Sequence, residues 1–371
     1  MINRQDLESL IQRGDGDQPI LSLFLDMSVN SDNKRTHNVF LSQKQTQLEE
    51  LNPRLRREVE EAFDRAREWL GSEYAEENRG VVIYTAVGGD WLETFQFPVP
   101  VANRAVIGPR PMVAPLAQVI ESYHHHGVIL IDREHVRILS VYLGTLLDEV
   151  EVRPEPIIDA PHSVQAGGYS HNRYQRHKIE EMRHFFREFS REIDEFVSRY
   201  RPHDLVILGT EENIAKFRDF LSEQVQGMIV YTGPAAVDGE AVEILDKIRP
   251  HLEAHEEQER QEVVERVRDR VAHDYLATAG LQGTLAALQQ GKVDTLVVAR
   301  DYHHEGARCT QCGFVFARDL DTCPYDGGRT QREEDVVEEL VRMAEGQGVA
   351  ISFAEPGQVD DLNGVGALLR F

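Results

Sequence analysis

The chain has 371 residues, with 40 lysines and arginines against 64 aspartates and glutamates, for a formal net charge of −24 at pH 7. So acidic a chain excludes a protein that coats nucleic acid non-specifically, and it confines any RNA contact to a local basic patch. The sequence shows no apolar run of bilayer length and no signal-peptide core at its start, so we expect a cytoplasmic protein without a membrane partner.

The first region, residues 1–123, has the pattern of a mixed α+β domain. The predicted elements are a helix over 3–12, a strand over 19–27, a charged helix over 36–70 broken at Pro53, paired strands over 80–86 and 91–97, and a helix over 115–123. The stretch 98–111 carries four prolines and is predicted to be an extended connector.

The second region, residues 124–256, predicts a mixed α/β layer. Apolar runs predict strands over 127–132, 136–143, 147–152, 204–209 and 228–231, with helices over 174–200 and 211–223 and a Pro/Gly-rich loop over 153–172. Five apolar residues recur at helical spacing and predict the core side of the long helix: Phe185, Phe186, Phe189, Ile193 and Phe196.

Residues 166–178 carry a positive net charge, in contrast to the negative net charge of the whole chain. Gly167 and Gly168 allow positive φ and close approach to another molecule. The residues after them mix cations with aromatic rings, a combination that suits a polyanion with exposed bases. The candidate RNA-binding residues are Tyr169, His171, Arg173, Tyr174, Arg176, His177 and Lys178. The alternative is a solvated helix start, but cations at a helix N-terminus oppose the macrodipole, which favours a functional role.

The third region, residues 257–371, predicts a small three-layer α/β domain. It begins within a charged helix over 240–274 and continues with helices over 281–290 and 333–347 and strands over 293–299, 349–353 and 366–371. The part of the charged helix over 253–270 is predicted to be a solvated face with Glu/Arg pairs, or alternatively a contact for a protein partner. An insert over 306–328 interrupts the domain after a strand.

The three cysteines, Cys309, Cys312 and Cys323, all lie in this insert. Together with Asp326 they have the spacing of a zinc ribbon, in which two tight turns each present two ligands. We therefore predict a structural zinc ion bound by the three cysteines and Asp326. Two alternatives stay open: His303 or His304 as the fourth ligand, or a ribbon that folds without metal.

Two weaker candidates lie near the strands of the second region. The histidine run 124–126 is predicted to be a solvated linker rather than a metal site. Asp132 ends one strand and Asp204 begins another, but a metal-dependent nuclease needs several converging acids and no third partner is evident, so we predict no nuclease activity.

Four segments together resemble one family. The Gly-Gly segment, which is the pair Gly167 and Gly168 before a basic helix, resembles the Gly-Gly-Gln loop of archaeal and eukaryotic class-1 peptide-chain release factors. Residues 284–298 resemble the start of that family's C-terminal domain, the insert 309–328 resembles the archaeal ribbon, and 362–371 resemble the closing glycine-rich strand. Pelota, the ribosome-rescue paralogue, shares this C-terminal architecture. The resemblance covers residues 127–371.

The resemblance implies a member of the bacterial branch of the release-factor and Pelota superfamily, which includes Balon-type hibernation factors. It implies three domains: 1–123; 124–256, RNase-H-like; and 257–371, kink-turn-protein-like with the ribbon insert. It further implies binding to the ribosomal A site, contacts with rRNA and the CCA end of tRNA, and a translational GTPase as a possible partner, with no DNA. The stop-codon motifs Asn-Ile-Lys-Ser and Tyr-x-Cys-x-x-x-Phe are absent from the sequence, so we expect no codon decoding.

The resemblance also defines a candidate catalytic loop, Gly167, Gly168 and Tyr169. In the family the residue after the glycines offers a backbone N–H to the oxyanion and a glutamine side chain to the attacking water. Tyr169 keeps the N–H, but its ring would exclude water and could stack on a base, an interaction worth about 1–3 kcal/mol. We therefore expect ribosome binding in hibernation or rescue without catalysis. The alternatives are a peptidyl-tRNA hydrolase and a purely structural loop.

Overall fold

The computed structural model describes residues 4–371 apart from residues 14, 15, 17, 32, 143 and 154–168. Side chains are described for these residues except 4, 5 and 169–178. The chain divides into two compact units, Tyr123–Glu257 and the two flanking segments Met1–Ser122 and Gln258–Phe371 taken together. The division into three domains stays a prediction.

The N-terminal segment contains one antiparallel sheet in the order β3-β2-β1-β4. Its elements are α1 (Arg4–Gln12), β1 (Ile20–Asp26), α2 (His37–Leu51), α3 (Arg56–Ser72), β2 (Gly80–Ala86), β3 (Leu92–Phe97), β4 (Arg104–Gly108) and α4 (Ala114–Ser122). The connector predicted over 98–111 is wrong in its middle, because β4 pairs with β1 from Phe24↔Arg104 to Ile20↔Gly108. The prolines of this stretch flank β4, so every residue of the strand keeps its N–H for the sheet.

The unit Tyr123–Glu257 is built on a five-stranded sheet in the order β7-β6-β5-β8-β9. Its elements are β5 (His126–Ile131), β6 (Val136–Tyr142), β7 (Thr145–Val152), α5 (Tyr169–Tyr200), β8 (Asp204–Gly209), α6 (Glu211–Arg218), α7 (Glu223–Gly227), β9 (Ile229–Gly233) and the first part of α8 (Ala241–Ala272). The strands β5, β6 and β7 form an antiparallel meander, whereas β8 runs parallel to β5 and β9 parallel to β8.

Two element boundaries in this unit differ from the prediction. The helix predicted over 211–223 is two short helices, because Thr210 caps α6 and Ser222 caps α7 through their side-chain oxygens. The helix α5 begins at Tyr169, five residues earlier than predicted.

Both faces of the five-stranded sheet are covered by apolar side chains. The five residues predicted as the core side of α5 are all buried against one face, which confirms that prediction. Residues of α8, Ile244, Leu245, Ile248 and Leu252, pack on the other face. This two-sided burial explains the continuous apolar runs of β5 and β8.

The C-terminal segment has a mixed sheet in the order β10-β16-β11-β15 and a separate ribbon sheet in the order β13-β12-β14. Its elements are β10 (Ala277–Ala279), α9 (Leu281–Gln289), β11 (Val293–Ala299), β12 (Gly306–Cys309), β13 (Val315–Phe316), β14 (Thr330–Glu333), α10 (Val336–Gly346), β15 (Ala350–Ala354) and β16 (Val365–Leu369). The mixed α/β character predicted for the chain is confirmed, although the short edge strand β10 was not predicted.

The N- and C-terminal segments contact each other within their shared unit. Glu338 at the start of α10 accepts hydrogen bonds from the N–H groups of Val113 (2.7 Å) and Ala114 (2.9 Å) at the start of α4. A salt bridge of 2.6 Å joins Arg110 to Glu339, and both side chains are largely buried. None of the helices in the described part of the chain is long and apolar enough to cross a membrane.

Candidate functional site

The cysteine insert folds into two turns with the same hydrogen-bond pattern. In the first turn the N–H of Cys309 donates to Phe314 O (2.8 Å), and the N–H of Gly313 donates to Cys309 O (3.0 Å). In the second turn the N–H of Cys323 donates to Gly328 O (2.8 Å), and the N–H of Gly327 donates to Cys323 O (2.9 Å).

The two turns are therefore equivalent residue by residue. Gly313 and Gly327 occupy matching left-handed positions, with φ of 74° and 71°, that favour glycine. By this correspondence Asp326 stands in the second turn where Cys312 stands in the first. Each turn thus presents two candidate ligands to the same space.

The four candidate ligands converge, and their ligand atoms all lie within 4.8 Å of one another. The Sγ atoms of Cys312 and Cys323 are 3.7 Å apart, and Cys309 Sγ lies 3.5 Å from each carboxylate oxygen of Asp326. Tetrahedral zinc, with Zn–S bonds of about 2.3 Å and Zn–O bonds of about 2.1 Å, needs S···S separations of about 3.8 Å and S···O separations of about 3.6 Å. The observed spacing therefore fits a tetrahedral ion, and the three thiols are free rather than bridged.

Backbone N–H groups prepare part of this cluster for negative charge. The N–H groups of Cys312 and Gln311 both point at Cys309 Sγ at 3.4 Å, and they lower the pKa of the Cys309 thiol. The N–H of Gly328 donates to Asp326 and, with the neighbouring thiols, lowers the pKa of its carboxyl to about 2.

Cys312 responds in the opposite direction. Although the N–H of Phe314 stabilises its thiolate, desolvation and the bonds that its thiol makes with Asp326 and the other two cysteines raise its pKa to about 12. Without a cation the cluster thus does not hold all its ligands in the ionised form that a metal requires.

Two other features settle how the ribbon is built. The Nδ1 atom of His303 lies 2.8 Å from Asp335 Oδ2, and Nδ1 of His304 is hydrogen-bonded to the Glu305 carbonyl. Neither histidine therefore replaces Asp326 in the cluster. The side-chain amide of Gln289 on α9 donates to Val315 O (3.0 Å) and accepts from the Val315 N–H (2.7 Å), which fixes β13 to the domain. Sequence reasoning missed Gln289, because nothing in its neighbourhood signals this long-range pairing.

The Gly-Gly segment lies between β7, which ends at Val152, and α5. Gly167 and Gly168 fall outside the described residues. The backbone of α5 is helical from Tyr169. All seven candidate RNA-binding residues therefore belong to its first turns: Tyr169, His171, Arg173, Tyr174, Arg176, His177 and Lys178. Their side chains are outside the described part, and their roles stay predictions.

The helix that carries these residues is firmly anchored further along. Phe186 meets Phe217 edge to face at 5.2 Å between ring centroids, and the Ser190 hydroxyl donates to Phe220 O at 2.7 Å. These contacts hold the later part of α5 against α6 and the residues that follow it.

The acids Asp132 and Asp204 do not converge. Asp132 follows the last residue of β5, and its carboxylate accepts hydrogen bonds from the N–H groups of Glu134 and His135. Asp204 is the first residue of the parallel neighbour β8, so the two acids lie at opposite ends of these strands. The geometry thus offers no paired-carboxylate centre of the nuclease kind from these two residues.

Two family models match consecutive segments of the chain. The sequence model of "Bacterial archaeo-eukaryotic release factor family 10" matches residues 111–260, and that of "eRF1 domain 3" matches residues 257–371. Over these two segments the chain is similar to the release-factor and Pelota superfamily. Among curated proteins, peptide chain release factor subunit 1 of Pyrococcus abyssi is 27% identical over 290 residues, 69% of each chain, and that of Methanocaldococcus jannaschii is 23% identical over 336 residues, 79% of each chain.

Solved structures of two proteins also align with the chain. Dom34 of S. cerevisiae aligns at 10% identity and a TM-score of 0.44, over 76% of this chain and 73% of that one. Archaeoglobus fulgidus Pelota aligns at 17% identity and a TM-score of 0.32, over 79% of each chain.

The two matched segments together span residues 111–371 and meet inside α8. The Gly-Gly segment falls in the first match and the cysteine ribbon in the second. The predicted resemblance over 127–371 is thereby confirmed at the level of the superfamily.

Proposed function

We propose that this protein is a ribosome-associated translation factor that binds the A site and directs its Gly-Gly loop, Gly167, Gly168 and Tyr169, to the peptidyl-transferase centre. It acts in hibernation or rescue by occupying the ribosome, without hydrolysing peptidyl-tRNA. The observation that carries the proposal is the order of the two family matches on one chain, release-factor family 10 followed by eRF1 domain 3.

The middle unit supports this proposal through its topology. Its sheet has an antiparallel meander, β5-β6-β7, continued on the other side by two strands parallel to β5. That is the basis on which we propose an RNase-H-like middle domain. The pair Gly167-Gly168 lies in the connection between the last meander strand, β7, and α5.

Charge supports a local contact with RNA. The chain carries −24 overall, yet residues 166–178 contain no Asp or Glu and three cations, Arg173, Arg176 and Lys178. An acidic body that is repelled by RNA elsewhere makes this segment the preferred contact, and it limits binding to sites that the segment can reach.

The residue after the glycines supports docking rather than hydrolysis. Where the release-factor loop has glutamine, this chain has Tyr169. A tyrosine ring can stack on a base of rRNA or of the tRNA CCA end, but it has no amide with which to orient a water molecule.

We further propose that the ribbon holds a structural Zn²⁺ ion through Cys309, Cys312, Cys323 and Asp326. The match of the S···S and S···O separations to a tetrahedral ion supports this assignment. Four protein ligands leave no open position, so the ion would stabilise the fold rather than activate water. By resemblance to the family, a translational GTPase is the proposed delivery partner.

The second candidate function is a peptidyl-tRNA hydrolase, which the Gly-Gly pair and the retained backbone N–H of Tyr169 favour. Stalled bacterial ribosomes carrying labelled peptidyl-tRNA separate the two. If the protein docks without hydrolysis, the wild type pellets with ribosomes and releases no peptide. The variant Arg173→Glu/Arg176→Glu then no longer pellets, whereas the control Arg191→Glu, at an exposed position later on α5, still does. Peptide release that is lost in Gly168→Ala would instead establish the hydrolase.

A further inference from the structure

A histidine cluster lies at the edge of the sheet where β5 and β8 begin. The run 124–126 leads into β5, and His203 and Asp204 start β8. The two strands are parallel neighbours, and His126 is the register partner of Asp204. The run predicted to be a solvated linker is therefore partly a core feature, because His126 is only 6% exposed.

The side chains of the cluster converge closely. One ring nitrogen of His124, one of His203 and a carboxylate oxygen of Asp204 all lie within 4.8 Å of one another. The imidazoles of His124 and His203 are stacked with centroids 4.1 Å apart, and His203 Nδ1 lies 3.1 Å from Asp204 Oδ2. Two residues stand behind these three: His126 Nδ1 is 3.6 Å from Asp204, and His126 Nε2 is 3.3 Å from Glu256 of α8.

Several polar atoms of this cluster are buried without a hydrogen-bond partner. They include Nδ1 of His124 and Nδ1 of His126. Asp204 is only 4% exposed, although a buried carboxylate is unfavourable unless charge or hydrogen bonds compensate it.

We propose that His124, His203 and Asp204 bind a divalent transition-metal ion, with Zn²⁺ as the natural occupant. Two imidazoles and one carboxylate are a common donor set for this ion, and it would compensate the buried carboxylate. On binding, the three ligand atoms close to separations of about 3.4 Å and the two rings tilt out of their stack. His126 and Glu256 are placed to orient the ligands from behind.

This site would pin the first residues of β5 to those of β8 in the unit that carries the Gly-Gly segment. It differs from the ribbon in donor chemistry, since it contains no sulfur. The inference does not depend on the proposed function, because it concerns metal binding by the isolated protein.

Metal titration of the full chain tests the proposal. With Co²⁺ as the probe, the ribbon site gives a thiolate charge-transfer band in the near ultraviolet, and the histidine site adds a second bound equivalent without that band. Zn²⁺ retained after dialysis is counted by mass spectrometry in the wild type and in Cys309→Ser/Cys323→Ser. We expect the serine variant to retain one equivalent of Zn²⁺, and we expect this bound ion to raise the unfolding temperature of the variant.

The matched variants are His203→Ala and Asp204→Asn, with His184→Ala, an exposed histidine on α5, as the control. The His203 side chain is 45% exposed, so its removal leaves the core intact, which circular dichroism verifies. Loss of the sulfur-free equivalent in His203→Ala and Asp204→Asn but not in His184→Ala supports the site. A wild type that never binds a sulfur-free equivalent, or binding that is unchanged in His203→Ala, overturns it.

Discussion

Replacing Glu338 by alanine should destabilise the unit formed by the two terminal segments. The carboxylate of Glu338 is buried and accepts the N–H groups of Val113 and Ala114, which open the helix α4 and have no intrahelical acceptor there. It also lies 3.4 Å from the guanidinium of Arg342. A single side chain thus caps one segment while it belongs to the other.

The expected size follows from these contacts. Glu338→Ala leaves two buried N–H donors unpaired, at about 1–3 kcal/mol each, and removes one partner of a buried ion pair. Loss of about 3–5 kcal/mol is expected, the range for breaking a buried pair. Glu338→Gln keeps one carbonyl oxygen as acceptor for one of the N–H groups, so about 1–2 kcal/mol is expected for it.

Tryptophan fluorescence during urea unfolding measures this effect, because both tryptophans, Trp69 and Trp91, lie in the N-terminal segment. Glu305→Ala is the control, since its pair with Arg332 is exposed on both sides and should leave the midpoint nearly unchanged. If Glu338→Ala unfolds at the same urea concentration as Glu305→Ala, the segments do not depend on this contact and the reasoning is refuted.

Three further outcomes are expected. Phe189→Ala should cost about 3–5 kcal/mol in urea unfolding followed by circular dichroism, because the ring is fully buried under the sheet, whereas the exposed Ile179→Ala should change little; equal midpoints would contradict this. Removing metal with a chelator should lower the unfolding temperature of the wild type by more than that of Cys309→Ser/Cys323→Ser, which lacks two ribbon ligands, and equal decreases in the two proteins would argue against a metal in the ribbon. Gln289→Ala should speed hydrogen exchange at the Val315 amide, which it leaves without its acceptor, and exchange at the wild-type rate would show that Gln289 does not hold the ribbon.

The sequence predicted best those features that depend on local patterns. The apolar spacing along α5 identified its buried side, and the Cys-x-x-Cys and Cys-x-x-Asp spacing predicted four ligands that the structure brings together. In each case the information lies within a few residues, so that helix periodicity or turn geometry is sufficient.

Features set by distant partners were missed. The strand β4 exists because β1 offers a free edge some eighty residues earlier in the chain, and its flanking prolines conceal it. The burial of His126 depends on the register between β5 and β8, and the capping of α4 depends on Glu338, 224 residues beyond Ala114. No local pattern reports such pairings.

The most direct test of the account is whether this protein and an A-site tRNA exclude each other on the bacterial ribosome. Ribosomes with an empty or a filled A site are pelleted with the wild type, with Arg173→Glu/Arg176→Glu and with the control Arg191→Glu. If the protein binds the A site, the wild type and the control pellet only with ribosomes whose A site is empty. The double variant pellets with neither kind of ribosome. Equal pelleting of all three proteins with filled ribosomes would contradict it.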